Sequence, residues 1–246
     1  MKLTVINSNS SGNSYILEND REALLIECGV RFNRIKEAIG FNVGKIKGCL
    51  ISHEHQDHCC AAKDVVKAGV DIYTSKGTRE AIGIISHRLH DIKAHETFTV
   101  GGFNIYPFDV KHDAAEPLCF LIHHEECGNV LFLTDSYYVE YTFDNLNNIL
   151  VEANYCQSIV DQMVRDGKSP KFLRNRVLSS HMSIKTCKEF LQANDLSQVN
   201  NIVLIHLSDS NSDSSRFQRE VQELTGKTVS IATAGLVIPN FNKTPF

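Results

Sequence analysis

Apolar residues fall along this chain in two rhythms. Short runs closed by turn-forming residues read as strands. In the first half these are Leu3 to Ile6, Ser14 to Glu18, Ala23 to Glu27, Gly48 to Ser52, Val70 to Tyr73, Thr97 to Val100 and Phe103 to Phe108. Asn19-Asp20-Arg21 and Gly101-Gly102 read as hairpin turns. In the second half the runs are Leu118 to His123, Asn129 to Leu133, Ile149 to Glu152, Asn201 to Ile205, Thr228 to Ile231 and Leu236 to Ile238. Asn7 to Asn13 is rich in small hydrogen-bonding residues and reads as a loop, and Pro239 to Phe246 as a loose tail.

Helical spacing marks the other rhythm. Phe32, Ile35 and Ile39 predict a helix from Arg31 to Ile39, ahead of Gly40. Further helices are expected over Ala61 to Ala68, over Thr78 to Ser86, and from a Ser158 cap through Val164. Ser183 is placed to cap a helix with Ile184, Cys187, Phe190 and Leu191 on one face. Phe217, Val221 and Leu224 mark a last helix stopped by Gly226. Strands and helices in this order, repeated across two halves, fit two sheets packed face to face with helices outside. With no linker, repeat or low-complexity tract, residues 1–246 are expected to form one domain.

Composition narrows the class. The chain has 246 residues, 42% hydrophobic and 22% charged, so it can bury a substantial core. A formal net charge of -4 argues against a general nucleic-acid-coating protein, although a local basic patch stays open. Eight scattered cysteines form neither a small disulfide framework nor a CxxC zinc ribbon. Reduced thiols, and hence the cytoplasm, are the expectation. The first residues turn polar too soon for a signal peptide, and no apolar run reaches the ~18 residues of a membrane span.

One stretch changes the picture. His53-Glu54-His55-Gln56-Asp57-His58 follows the apolar run Cys49-Leu50-Ile51-Ser52 and crowds three imidazoles and two carboxylates together. Neutral imidazole is the commonest metal ligand, and carboxylate accompanies it at hydrolytic sites. Other strand ends answer it: His112 comes shortly after Phe103 to Phe108, Asp135 after Asn129 to Leu133, and His206 after Asn201 to Ile205. Each alone reads more readily as a structural histidine or a turn aspartate. Their succession after the cluster is what points to a shared site. Cys59 and Cys60 sit beside it as weaker candidate ligands.

With those residues in view, His53-x-His55-x-Asp57-His58 followed by His112, Asp135 and His206 resembles the metallo-β-lactamase superfamily over nearly the whole chain. The resemblance implies an αββα sandwich, two mixed sheets with helices outside. It implies that His53, His55 and His112 hold one divalent ion, that Asp57, His58 and His206 hold a second, and that Asp135 bridges them. Nitrogen and oxygen donors favour zinc, with manganese or iron as alternatives.

Ser180-His181-Met182-Ser183 resembles the H-x-[ST] element of the tRNase Z-like phosphodiesterases, which implies that His181 donates a proton to the leaving oxygen. Read without the resemblance, His181 is a neighbour of the helix cap Ser183. Asp57 is the candidate acceptor of the attacking water's proton.

Ser10 to Ser14, His112 to Pro117, Glu152 to Tyr155, and Ser169-Pro170 with Leu173-Arg174-x-Arg176-Val177 resemble the YycJ/WalJ-like hydrolases, regarded as DNA exonuclease-like. They also resemble the viral anti-Pycsar phosphodiesterases, which open cyclic pyrimidine mononucleotides. The chain departs from the bacterial pattern at Cys59-Cys60, at Asp135-Ser136-Tyr137, and in the lack of a histidine-aspartate pair within Glu152 to Tyr155. Those departures and the acidic balance favour hydrolysis of a 3′,5′-cyclic nucleotide to a 5′-mononucleotide, in the host cytoplasm if the protein is viral. The alternatives are a DNA exonuclease or RNA-processing nuclease and, more distantly, a thioester or lactone hydrolase. Lys171, Arg174 and Arg176 are candidate phosphate contacts and Tyr137 a candidate base contact, with solvated charge and packing as the competing roles. The resemblance also implies a homodimer.

Overall fold

The computed structural model of the chain describes residues 1–244. Its first half runs β1 (Lys2–Asn9), β2 (Gly12–Glu18), β3 (Ala23–Ile26), α1 (Phe32–Ala38), β4 (Ile46–Leu50), α2 (Gln56–Cys59), α3 (Ala62–Lys67), β5 (Ile72–Ser75), α4 (Lys76–Ile82) and β6 (Leu89–Ile92). Next come β7 (Phe98–Val100), β8 (Phe103–Asp109), β9 (Leu118–His124), β10 (Gly128–Leu133) and β11 (Leu146–Glu152). The chain continues with α5 (Gln157–Arg165), α6 (Lys171–Ser180), α7 (Ile184–Ala193), β12 (Asn201–Ile205), α8 (Ser214–Thr225), β13 (Thr228–Ile231) and β14 (Val237–Ile238).

Two seven-stranded sheets result, in the orders β14-β1-β2-β3-β4-β5-β6 and β13-β12-β11-β10-β9-β8-β7. Each joins antiparallel hairpins to parallel strands: β3 to β6 are parallel in one sheet, β10 to β13 in the other. Period-two alternation decides which side chains meet. Leu3, Val5, Tyr15, Leu17, Leu24, Ile26 and Leu50 face Phe103, Ile105, Phe120, Ile122, Phe132, Leu150 and Val203 in the core between the sheets. The alternate residues Ile16, Leu25, Cys49 and Ile51 pack with Ile35 of α1 and Val65 of α3 on one outer face. Leu131, Leu133, Ile149, Val151 and Leu204 pack with α7 and α8 on the other. Strands β2 and β11 are therefore buried along their whole length. This is the expected αββα sandwich of two mixed sheets.

Several local expectations change. Asn7 to Asn13 is mostly strand, with only Ser10-Ser11 turning between β1 and β2. A register shift between Val5 and Asn7, and an Asn7 side chain donating to the Gly12 carbonyl at 2.6 Å, let these polar residues hold the ladder. Helix α6 and edge strand β6 carried too little one-sided apolar pattern to be read from sequence. Ser158 lies inside α5, whose cap position belongs to Cys156. Ser183 does cap α7, accepting from the Thr186 N–H. Leu224 is exposed rather than packed. The tail is held as far as it is described: Phe241 is fully buried in the inter-sheet core, and Asn242 accepts from the Met1 ammonium at 2.6 Å. Pro245 and Phe246 lie outside the described residues. All eight cysteines are unbridged. No helix among the described residues is long and apolar enough to cross a membrane.

The anchoring of Phe241 gives a stability test. Phe241→Ala should cost about 3–5 kcal/mol in urea unfolding, because it opens a cavity between the sheets. Ile85→Ala, at a fully exposed side chain, should change stability by less than about 0.5 kcal/mol.

Candidate active site

The parallel strands end at one edge of the sandwich, and their ends carry the polar residues. Strand β4 leads through Ile51-Ser52 to His53, β10 leads to Asp135, β11 ends on Glu152, and β12 leads to His206. Three of the residues at this edge, Glu27, Asp135 and His206, have left-handed backbones with φ of 60°, 44° and 52°. Such conformations cost a non-glycine residue free energy and persist where the surroundings over-determine them. Here they turn each side chain back across the end of its strand. Between them, α2 packs so closely on Gly29 that a Cβ there would lie 1.7 Å from the Asp57 carbonyl oxygen.

The structure brings all seven residues of the sequence-derived metal set together. His53 Nε2, His55 Nδ1, His112 Nε2 and one Asp135 oxygen form a compact group. Its edges are 2.9 Å for His53–His55, 3.2 Å for His55–His112, and 3.5 Å from Asp135 Oδ2 to both His53 and His112. Donors placed about 2.0–2.1 Å from the centre of a tetrahedron lie about 3.3 Å apart, so these spacings fit a ligand shell. Asp57, His58 and His206 form a second group, with Asp57 Oδ2 3.4 Å from His58 Nε2 and 3.5 Å from His206 Nε2. Asp135 Oδ2 also lies 3.4 Å from His58 Nε2, so one carboxylate oxygen touches both groups.

Protons and lone pairs fit the same picture. His112 Nδ1 donates to the Ser180 carbonyl at 2.8 Å, and burial holds this imidazole below its ordinary pKa. A neutral ring with hydrogen on Nδ1 presents a bare Nε2 to the cluster. Burial likewise holds His53 well below the usual imidazole range, with His58 adding to it against the pull of Asp135. Burial works the same way on His58 and His206, but the surrounding carboxylates together outweigh it, Asp135 with Glu27 and Asp57 at His58 and Asp135 with Asp57 and Glu152 at His206, and both are raised well above that range. The hollow therefore favours positive charge. His206 Nε2 and His58 Nδ1 are buried without a hydrogen-bond partner among the described residues, which is costly unless something else meets them. Glu27 Oε2, also unpartnered, stands 3.6 Å from that His58 nitrogen.

A cavity of about 340 Å³ opens over the cluster, lined by His55, Asp57, His112, Asp135, His181 and His206 among others. His181 stands at its wall and donates from Nδ1 to the buried Glu152 at 2.8 Å. Glu152 also accepts from the Met182 and Ser136 backbone N–H groups and faces His206 Nδ1 at 3.2 Å. Burial lowers the His181 pKa, but the Glu152 carboxylate more than reverses this and raises it.

Glu152, Glu27 and Asn13 were not picked out as site residues from the sequence. Asn13 reaches His58 Nε2 at 3.1 Å. The available signal for both glutamates was a carboxylate directly following an apolar run that heads into the core. Of the four candidate substrate contacts only Arg176 lines the cavity, and it stands 3.5 Å from Asp113. Arg174 is turned to Asp161 at 2.7 Å, Lys171 is exposed at the start of α6, and Tyr137 is exposed outside the cavity lining. Cys59 is buried, its thiol donating to the Glu54 carbonyl, and Cys60 points to the outer flank of α2. His90, His95, His123 and His124 lie away from the cluster and meet Tyr73, Tyr106 with Asp109, Asn129 and Glu22 respectively.

Comparison with known proteins decides the lineage. A family model described as a beta-lactamase superfamily domain matches residues 24–207. The chain belongs to the metallo-β-lactamase superfamily. It is 30% identical over 227 residues to exodeoxyribonuclease WalJ of Streptococcus pneumoniae, covering 85% of this chain and 82% of that protein. It is 27% identical over 229 residues to exodeoxyribonuclease YycJ of Bacillus anthracis, covering 86% and 84%. Among solved structures, the metallo-β-lactamase fold protein YhfI from Bacillus subtilis superposes with a TM-score of 0.70 at 19% identity, covering 96% of this chain and 98% of that one. The last likeness concerns the fold alone. The chain is thus a hydrolase of this superfamily, with relatives that are nucleases.

The tight seat of α2 is open to test. Gly29→Ala forces its methyl into the Asp57 backbone and should destabilise the protein by about 1–3 kcal/mol or more. Gly44→Ala, whose added carbon meets nothing nearer than 3.9 Å, should be neutral within about 0.5 kcal/mol in the same melting experiment.

Proposed function

We propose that the protein is a metal-dependent phosphodiesterase acting on nucleic acid, in the manner of its exodeoxyribonuclease relatives. The observation that carries the reading is the Glu152–His181 pair, which aims an imidazole into the cavity beside a donor set fit for two ions. His53, His55 and His112 would hold one ion, Asp57, His58 and His206 the other, with Asp135 between them. Bound there, two divalent ions, zinc or manganese, supply Lewis-acid neutralisation of phosphoryl charge and acidify water toward neutral pH.

The chain's own residues do the rest. Glu152 accepts the His181 Nδ1 proton and so fixes the ring's orientation, leaving Nε2 as the nitrogen that can give a proton to the departing ester oxygen. The raised pKa of His181 keeps that proton available near neutrality. Asp57, partly open to the cavity, is held as a carboxylate: burial opposes this, but hydrogen bonds from His206 and His58 prevail. It is placed to accept the proton of the attacking water. Arg176 at the rim can meet a phosphate oxygen if it leaves Asp113.

The departures at Cys59-Cys60 and Asp135-Ser136-Tyr137 favour a 3′,5′-cyclic nucleotide as substrate. The two relatives support the nuclease alternative instead. The cavity itself keeps the cyclic-nucleotide reading as a second one, because it is small and its lining holds one arginine, Arg176, and no lysine. A thioester or lactone substrate would leave the Glu152–His181 pair without a task.

Incubation with single-stranded DNA, RNA and cyclic mononucleotides, followed by product chromatography, separates these readings. Chain shortening of a polymer is expected; turnover of cyclic mononucleotides alone would overturn the proposal. Chelator should abolish hydrolysis and added zinc or manganese restore it. His181→Ala should keep its metal while losing about 10²–10⁴-fold in kcat, and unchanged kcat would remove its assigned role.

A further inference from the structure

A second hollow lies behind the metal loop. It is a cleft of about 700 Å³ between α1 and α3, lined by Arg31, Phe32, Lys36, Cys60, Asp64 and Lys67 among others. Its position follows from α2. Asp57 lines the candidate active site, and Cys60, at the C-terminal end of the same short helix, lines the cleft, so α2 borders both hollows. The Cys28 N–H donates to the His58 carbonyl, and the Ala61 N–H donates to the Cys28 carbonyl. These bonds tie the base of α1 and the start of α3 to the same loop.

The charge of this cleft runs against that of the protein. Arg31, Lys36 and Lys67 line it against the single carboxylate of Asp64, in a chain of formal net charge -4. Elsewhere cations are commonly spent on acids: Lys2 and Lys45 on Glu18, Arg88 on Asp71, Arg174 on Asp161, Lys188 on Glu220. Arg31, Lys36 and Lys67 make no ion pair among the described residues. Lys36 lies over the Phe32 ring, 5.6 Å from its centre, which holds the ammonium at the cleft without neutralising it. Unpaired cations gathered in one cleft repel one another, and phosphates relieve that repulsion with release of counterions.

We infer that this cleft binds the backbone of a single-stranded nucleic acid a few nucleotides from the phosphodiester held in the cavity. The inference rests on the nucleic-acid reading above and adds where the rest of the polymer lies. It also accounts for how a cavity lined by one arginine and no lysine can serve a polyanion: further affinity comes from the neighbouring cleft.

The test is binding of a labelled single strand of about 20 nucleotides to the full protein by fluorescence anisotropy, across about 50–200 mM salt. DNA and RNA strands run in parallel, and hydrolysis of the same strands is followed separately. Arg31→Ala/Lys36→Ala/Lys67→Ala should weaken binding at least tenfold. It should also reduce the slope of log affinity against log salt by about 2, at about 0.7 for each phosphate no longer neutralised. Hydrolysis of bis(p-nitrophenyl) phosphate should be retained, which shows the variant is folded. If the triple variant does not fold, exposed Lys67→Ala alone should lower the slope by about 0.7. Arg219→Ala, on distant α8, should change neither quantity. Unchanged affinity and slope in the cleft variants overturn the cleft, even where wild-type protein digests the strands. A cleft-dependent slope with no digestion of any strand sustains the cleft and overturns the nuclease reading. Absence of binding by the wild type overturns the cleft outright.

Discussion

The Asp135 carboxylate is the constraint on which the rest of the site depends. One of its oxygens stands 3.4–3.5 Å from nitrogens of His53, His58 and His112, and the other meets His206. A buried carboxylate among imidazoles is stable only if positive charge is supplied by protons or by metal ions. Its left-handed backbone means that this position is not the relaxed end of strand β10. The sandwich provides the compensation: two sheets and their helices fix four strand ends, and the donor groups converge because the strands cannot move apart.

The two halves of the chain contribute differently. The first sheet provides His53, His55, Asp57 and His58 from one loop and short helix, locked by the close approach of Gly29. The second sheet provides His112, Asp135, Glu152 and His206 from separate strand ends, with His181 at the start of the turn into α7. Glu152 connects the groups, since it holds His181, faces His206 and accepts from the backbone next to Asp135. A proton donor and the candidate metal donors thus share one buried carboxylate.

The legible part of the chain was local. Alternating strands, the capped α7, and a six-residue stretch with three histidines announce themselves through spacing that needs no tertiary information. The resemblance then joined His112, Asp135 and His206 to that stretch, and the structure brings all of them within one cluster. What was not legible acts through space. Glu152 closes an apolar strand and meets His181 across 29 positions of sequence. Glu27 meets His58 from the end of β3. Helix α6 exposes most of its residues, Phe172 and Leu173 included, so its apolar pattern carries little signal. The cations Lys171 and Arg174 were read as phosphate contacts by type alone, yet α6 turns Arg174 toward Asp161 and leaves Lys171 in solvent.

Anomalous diffraction at a metal absorption edge from crystals grown with zinc or manganese tests the central claim most directly. Two peaks about 3.5–4 Å apart are expected, one among His53, His55 and His112, the other among Asp57, His58 and His206, with Asp135 between them. A single peak, or peaks away from Asp135, would contradict the account.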